Sequence, residues 1–155
     1  MAERIVIYGN SGSGKTTMAR ALASTLGVPH LDLDSIAWDE PLVRKAMPET
    51  LTLLSAFIAE HPSWVIEGCY GDVVHAAARV ATELRFLHPG IEACIAHCRL
   101  RPWEPTKFPT PEAQDAMLEA LIDWVRQYET RDDEYGLARH RAVFEGFGGV
   151  KREYR

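Results

Sequence analysis

The sequence predicts an α/β fold, a short parallel sheet between two layers of helices. Three observations carry that expectation. Short apolar runs rich in β-branched residues alternate with longer segments of helical periodicity, the order that a covered parallel sheet produces. The first run leads straight into the glycine-rich turn 9–14. The second and third runs end in acids, and ligands of open parallel sheets sit beyond the carboxyl ends of the strands. With 155 residues and neither a repeat nor a low-complexity linker, the chain is expected to form one domain, 1–155, around one core.

Arg4-Ile5-Val6-Ile7-Tyr8 reads as a buried parallel strand that stops at Gly9. A helix is expected over 15–26. Met18, Ala19, Leu22, Ala23 and Leu26 form its apolar stripe, and Gly27 stands where a C-terminal cap belongs. Residues 29–34 read as a second strand tipped with acids. The stretch 48–60 reads as a helix with Pro48 in its first turn. Ser63-Trp64-Val65-Ile66-Glu67 is a third strand, 72–81 a helix and 84–87 a fourth strand. A helix after Pro89 carries Ile91, Cys94, Ile95 and Cys98 at helical spacing. Pro102, Pro105, Pro109 and Pro111 exclude regular structure over 102–111, which is therefore a loop. Helices are expected over 112–127, with Met117, Leu118, Leu121, Trp124 and Val125 on one face, and over 133–144. Residues 148–155 read as either a short last strand or a frayed tail.

Gly9-Asn10-Ser11-Gly12-Ser13-Gly14-Lys15-Thr16 fits the P-loop pattern G-x-x-x-x-G-K-[ST] at every fixed position, with a strand before it and an amphipathic helix after it. Glycines let successive N–H groups turn inward toward phosphate oxygens, and the helix N-terminus that follows favours an anion. Residues 9–17, Thr17 included, are thus the expected phosphate cradle, with Lys15 reaching the β- and γ-phosphates and the Thr16 hydroxyl suited to Mg²⁺. ATP and GTP both stay open as the triphosphate.

Asp32 and Asp34 fall on one face of the expected second strand, since strand side chains alternate. Asp34, nearer the end, is placed to touch an acceptor hydroxyl, and Asp32 to stand behind it beside the metal. Glu67 ends an apolar strand next to the P-loop, where an acid can order the water shell of Mg²⁺. Thr16, Glu67 and Asp32 are the expected metal-side residues.

The net charge of -5 and the lack of any Lys/Arg block argue against a nucleic-acid partner, while a local cleft for an anion remains compatible with an acidic exterior. Three cysteines without a C-x-x-C pair do not form a disulfide framework. Cys94, His97 and Cys98 could be imagined as metal ligands, but their helical spacing favours core packing of the two cysteines. With no leader ahead of the first strand and no apolar run long enough to span a bilayer, a cytoplasmic protein is expected, with no membrane partner.

The order of P-loop, acid-tipped second strand and Val65-Ile66-Glu67-Gly68 resembles the adenylate kinase and shikimate kinase group of small-molecule P-loop kinases, and a likeness extends to short bacterial proteins of the adenylate kinase-like or topology modulation type. The resemblance implies the three-layer α/β/α P-loop NTPase fold with a helical lid, here roughly 99–131. Thr130-Arg131-Asp132-Asp133, followed by Arg141, is similar to the arginine-bearing end of the adenylate kinase lid, which implies a phosphate-clamping role for Arg131 and Arg141. Arg99 and Arg101 flank the proline-rich loop and are further candidates, with solvated helix-end arginine as the alternative. Arg44 could bind an acidic group of the acceptor or be a solvated surface residue. Where adenylate kinases carry a proline–arginine pair and shikimate kinases a glycine cluster, this chain reads Cys69-Tyr70-Gly71, which puts AMP and shikimate in doubt as acceptors. The last strand looks truncated beside the family pattern. The expected activity is Mg²⁺- and ATP-dependent phosphoryl transfer to a small molecule, either a nucleotide or a hydroxyl metabolite. The alternative is a nucleotide-binding regulatory ATPase that signals to a protein partner.

Overall fold

The structure is a computed structural model and describes residues 2–40 and 43–155, without the side chain of Glu40. In chain order the elements are β1 (Arg4–Gly9), α1 (Lys15–Leu26), β2 (His30–Asp32), α2 (Asp34–Ala37), β3 (Trp38–Glu40), β4 (Val43–Arg44) and α3 (Met47–Glu60), then β5 (Trp64–Gly68), α4 (Gly71–Ala78), β6 (Glu83–Leu87), α5 (Ile91–Leu100), α6 (Pro111–Arg126), α7 (Leu137–Gly146) and β7 (Val150–Tyr154). Five strands form a parallel sheet in the order β2-β5-β1-β6-β7.

Alternation along β1 divides the core between the two faces of the sheet. Val6 and Tyr8 join Trp64, Ile66, Leu84 and Phe86 under α3, α4 and α7. Ile5 and Ile7 join Val65 and Leu87 against Ala19 and Ala23 of α1. Both faces are therefore covered, which is why β1 and β5 read as continuous apolar runs. Each fully buried Val, Ile or Leu side chain contributes roughly 1.5–3 kcal/mol of transfer free energy. A third cluster, Cys94, Ile95, Cys98, Ile122 and Val125, joins α5 to α6, so the cysteine stripe packs as a core face. This is the three-layer α/β/α arrangement with a short parallel sheet.

Helix α1 has the expected bounds, and Gly27 closes it in a left-handed conformation that returns its N–H to Ala23 and Ser24. Several expectations are corrected. The second strand stops at Asp32, so Asp34 opens α2 and does not share a strand face with Asp32. The cause is local: Asp32 Oδ1 accepts the Asp34 N–H at 2.9 Å and Ser35 donates to the Asp32 carbonyl at 2.7 Å, a side-chain turn that competes with strand pairing. The small β3–β4 hairpin was not expected. Helix α7 starts at Leu137 and not at 133, because Asp133 holds the preceding turn by accepting the Tyr135 N–H at 3.0 Å. Of the two readings of 148–155, the short last strand is the one that forms: β7 pairs in parallel with β6 over Glu83↔Val150 to Leu87↔Tyr154. Among the described residues no helix is long and apolar enough to cross a membrane.

Candidate active site

The phosphate cradle lies at the carboxyl end of β1. The α1 N-terminus has no side-chain cap and no acid in its first turn, which leaves its outward N–H groups and dipole available to an anion. Gly12 sits at φ +80°, and a Cβ there would stand 2.2 Å from the Cys94 carbonyl oxygen, so only glycine fits against α5. Lys15 Nζ donates to the Asn10 carbonyl at 2.7 Å. Thr16 and Thr17 complete the first turn of α1.

The loop is braced from outside. Asn10 donates from Nδ2 to the Val125 carbonyl at 3.2 Å and accepts the Ser11 N–H at 2.9 Å. His97 Nδ1 lies 2.6 Å from the Gly12 carbonyl oxygen, so that nitrogen carries the proton. Arg101 donates to Ser11 Oγ at 3.4 Å, whereas Arg99 pairs with Glu119 on the surface. Sequence reading did not find the brace by His97, because nothing in its spacing on α5 points to a loop 85 residues earlier.

Beside the cradle, Glu67 is 2% exposed and accepts from Thr16 Oγ1 at 3.0 Å. Asp32 pairs with Glu67 in the β2–β5 register, which places two acids next to each other. Burial, then the charges of Glu67 and Asp34, raise the Asp32 carboxyl to about 6. Crowded carboxylates around a hydroxyl are hard oxygen donors that suit Mg²⁺. Among the described residues no three His, Cys, Asp or Glu side chains form a protein-only metal cage. Mg²⁺ does not need one, because it keeps waters and substrate phosphates as ligands. Thr16, Glu67 and Asp32 therefore fit the ion.

Asp34 faces a group the sequence did not reveal. Its Oδ2 lies 2.6 Å from Lys107 Nζ, and its Oδ1 accepts from the Tyr70 hydroxyl, which in turn accepts the Trp38 indole N–H at 2.7 Å. Burial works against the Asp34 charge, yet the Lys107 ammonium, the Tyr70 hydroxyl and the charge of Lys15 outweigh it and hold the carboxyl below its usual range. Lys107 also reaches Asp32 and Glu104, each at 3.5 Å. The only sequence signal for Lys107 was a lone cation in a proline-rich loop. Tyr70 stood out in the sequence only as a departure from the kinase pattern.

Arg131 and Arg141 make no hydrogen bond to residues 9–17. Arg131 is held by Asp133 at 2.8–3.0 Å, with Cζ 4.6 Å from the Trp124 ring centroid. Arg141 pairs with Glu153 at 2.5 Å, over the Phe86 ring. Arg44 Nη1 donates to the carbonyls of Ala37 and Lys45 and to Thr50 Oγ1.

Known proteins share these features in part. The family "ATPase family associated with various cellular activities (AAA)" matches residues 5–66, which run from β1 into β5 and make up less than half of the chain. An uncharacterized protein of Bacillus subtilis, YqaC, is 33% identical over 69 residues, 44% of this chain and 39% of that protein, so the match spans well under half of the relative. Among solved structures, a sugar kinase from Janibacter aligns at TM-score 0.54 with 14% identity, over 99% of this chain and 86% of that one. A gluconokinase from Sinorhizobium meliloti aligns at 0.53 with 19% identity, over 97% and 82%. A shikimate kinase from Bacteroides thetaiotaomicron aligns at 0.52 with 19% identity, over 92% and 97%. At such identities the likeness is one of fold. The chain has the P-loop NTPase fold in the form that these small-molecule kinases share.

Proposed function

We propose that the protein transfers the γ-phosphoryl group of a nucleoside triphosphate, ATP or GTP, to the hydroxyl of a small molecule. The observation that carries this reading is the junction of Thr16 with Glu67, which puts the phosphate cradle and the acids of β2 and β5 at one place. The loop amides and Lys15 hold the β- and γ-phosphates, and Thr16, Glu67 and Asp32 hold Mg²⁺. The ion, when bound, offsets negative charge on the phosphates. Asp34, kept ionised, accepts the hydrogen bond of the acceptor hydroxyl and takes its proton. The acceptor oxygen forms the new bond to phosphorus as the bond to the leaving nucleoside diphosphate breaks. Arg131 and Arg141 are the candidate clamps on the transferred group, and each must leave its acid to reach it. Segment 99–131 would close over the site.

The test is release of ADP from Mg·ATP with a panel of hydroxyl acceptors against a blank. One acceptor is expected to raise turnover, and Lys15→Ala to lower it by about 10²–10³-fold, the usual cost of removing one donor to developing charge. A second reading, a regulatory ATPase with a protein partner, is favoured by Leu100 at 80% and Trp103 at 43% exposure, apolar side chains close together in the same segment. Nucleotide binding with no acceptor-dependent turnover would support it.

A further inference from the structure

We infer that Lys107 is a catalytic residue of the transfer: its ammonium stays on Asp34 and binds the phosphoryl group as that group arrives at the acceptor oxygen. The inference rests on the phosphoryl-transfer reading and adds a residue to it. A lysine ammonium has three N–H donors. Asp34 Oδ2, at 2.6 Å, takes one of them. Asp32 and Glu104 stand 3.5 Å away, beyond good hydrogen-bond length, so they attract the charge without using up the other two. With 31% of the side chain exposed, those donors are open to a ligand. Burial works against the ammonium, yet Asp34, Asp32 and Glu104 outweigh it and hold Lys107 protonated above its usual range. Lys107 is therefore a fixed charge and not an acid.

The turn that carries Lys107 joins the two ends of the path that the phosphoryl group must take. It holds its own shape, because the Lys107 N–H bonds the Glu104 carbonyl at 2.9 Å and the Trp103 indole bonds the Phe108 carbonyl at 3.0 Å. On one side Arg101 reaches Ser11 of the cradle, and on the other Lys107 reaches the candidate base. Arg131 and Arg141 are committed to Asp133 and Glu153 and must first be released. Lys107 already stands at Asp34. In the step, the acceptor hydroxyl gives its proton to Asp34, the acceptor oxygen bonds phosphorus, and the bond to the leaving nucleoside diphosphate breaks. Lys107 keeps its protons throughout. Reacting oxygen and phosphorus start about 3–3.5 Å apart, so the phosphoryl group nears Asp34, and Lys107 with it, only as it transfers. A contact that strengthens along this path lowers the barrier, whereas one equally strong before transfer would only tighten Mg·ATP.

The experiment needs no known acceptor. Calorimetry on the full chain compares Mg·ATP, Mg·ADP, and Mg·ADP with aluminium fluoride, a planar mimic of the group in flight. In the parent, aluminium fluoride is expected to tighten Mg·ADP by about tenfold or more. Lys107→Met keeps the apolar stem and is expected to lose about tenfold of that gain. Its Mg·ATP affinity should stay within about threefold of the parent, which reports an intact cradle. Lys107→Arg is expected to recover part of the gain. A purely structural lysine would change stability and leave the gain alone. A Lys107→Met protein that keeps the gain, a parent that shows none, or a loss of Mg·ATP affinity as large as the loss of the mimic overturns the inference while nucleotide binding by the parent stands. Failure of Mg·ATP to bind the parent overturns the phosphoryl-transfer reading and the inference with it.

Discussion

The nucleotide half and the acceptor half of the candidate site meet at the carboxyl end of one sheet, yet they are built in opposite ways. The nucleotide half is one stretch, 9–17, whose shape comes from backbone: left-handed glycines, an open helix end and a brace from α5 and α6. The acceptor half gathers Asp34 and Trp38, Tyr70, and Lys107 from three separate stretches of the chain and holds them by charge and hydroxyl bonds. A backbone cradle depends on a few positions where nothing else fits. A charge-held cluster depends on every partner, and a partner can be exchanged. The first is suited to a ligand that is always the same, the second to the part of a reaction that sets specificity.

If the halves are separable, removing the candidate base must silence one and spare the other. Asp34→Asn is expected to lower acceptor-dependent turnover by about 10²–10⁴-fold, the range of general-base contributions. Calorimetry should find Mg·ATP affinity unchanged. A joint loss of both would show that Asp34 shapes the cradle. The converse variant is Gly12→Ala. Its Cβ meets the Cys94 carbonyl oxygen at 2.2 Å on a backbone at φ +80°, so either the loop or α5 must move. The expected cost is about 2–4 kcal/mol in chemical denaturation, with loss of Mg·ATP binding. An unchanged midpoint with intact binding would show that the brace is slack.

The same contrast explains what the sequence disclosed. The cradle residues are contiguous and obey a pattern with a mechanism, and α1 follows from a clean apolar stripe, so both were legible. Most strands and helices were legible because both faces of the sheet are buried and the apolar runs are continuous. Asp34 was named as the group facing the acceptor, but its setting was misread. A turn made by the Asp32 side chain ends β2 two residues before Asp34, and strand periodicity does not register such a turn. Lys107 meets Asp34 across 73 residues and Tyr70 across 36, and no local pattern encodes either meeting. The β3–β4 hairpin has strands too short for alternation to be read.

His140 ties the two halves together and sets a pH limit on the assembly. It is fully buried and donates from Nε2 to the Cys69 carbonyl at 2.8 Å, so Nδ1 must accept the Tyr128 hydroxyl at 2.7 Å. Tyr8, from β1, donates to the His140 carbonyl at 3.3 Å. Burial depresses its pKa from 6.5 to about 4. The unfolded chain therefore takes up the proton first as pH falls. Stability from this group is fully present above about 6.5 and is lost between there and about 4, a change of roughly 2–4 kcal/mol. Thermal denaturation across that window should show the fall in the parent and a flatter profile in His140→Gln. At neutral pH the variant should cost about 1–2 kcal/mol. Identical slopes would assign the acid sensitivity elsewhere.

The smallest expected effect offers the sharpest separation of the two halves. Thr110 is the N-cap of α6, where its hydroxyl accepts the Ala113 N–H at 3.1 Å, and among the described residues no other helix has a side-chain cap. The first turn it secures carries Gln114, which bonds the Glu104 N–H at 2.8 Å and the Pro102 carbonyl at 3.1 Å. Those bonds tie down the loop that presents Lys107. Thr110→Ala should cost about 1 kcal/mol, the usual value of such a cap. That cost should appear as local opening, with amide hydrogen exchange over 101–114 about fivefold faster. The far end of α6, where Val125 holds Asn10, lies more than three turns away by helix geometry. Exchange over 9–17 and Mg·ATP affinity should therefore stay fixed while the KM for the acceptor rises. Faster exchange in both segments would mean that α6 transmits the loss along its length, and the two halves would then respond as one.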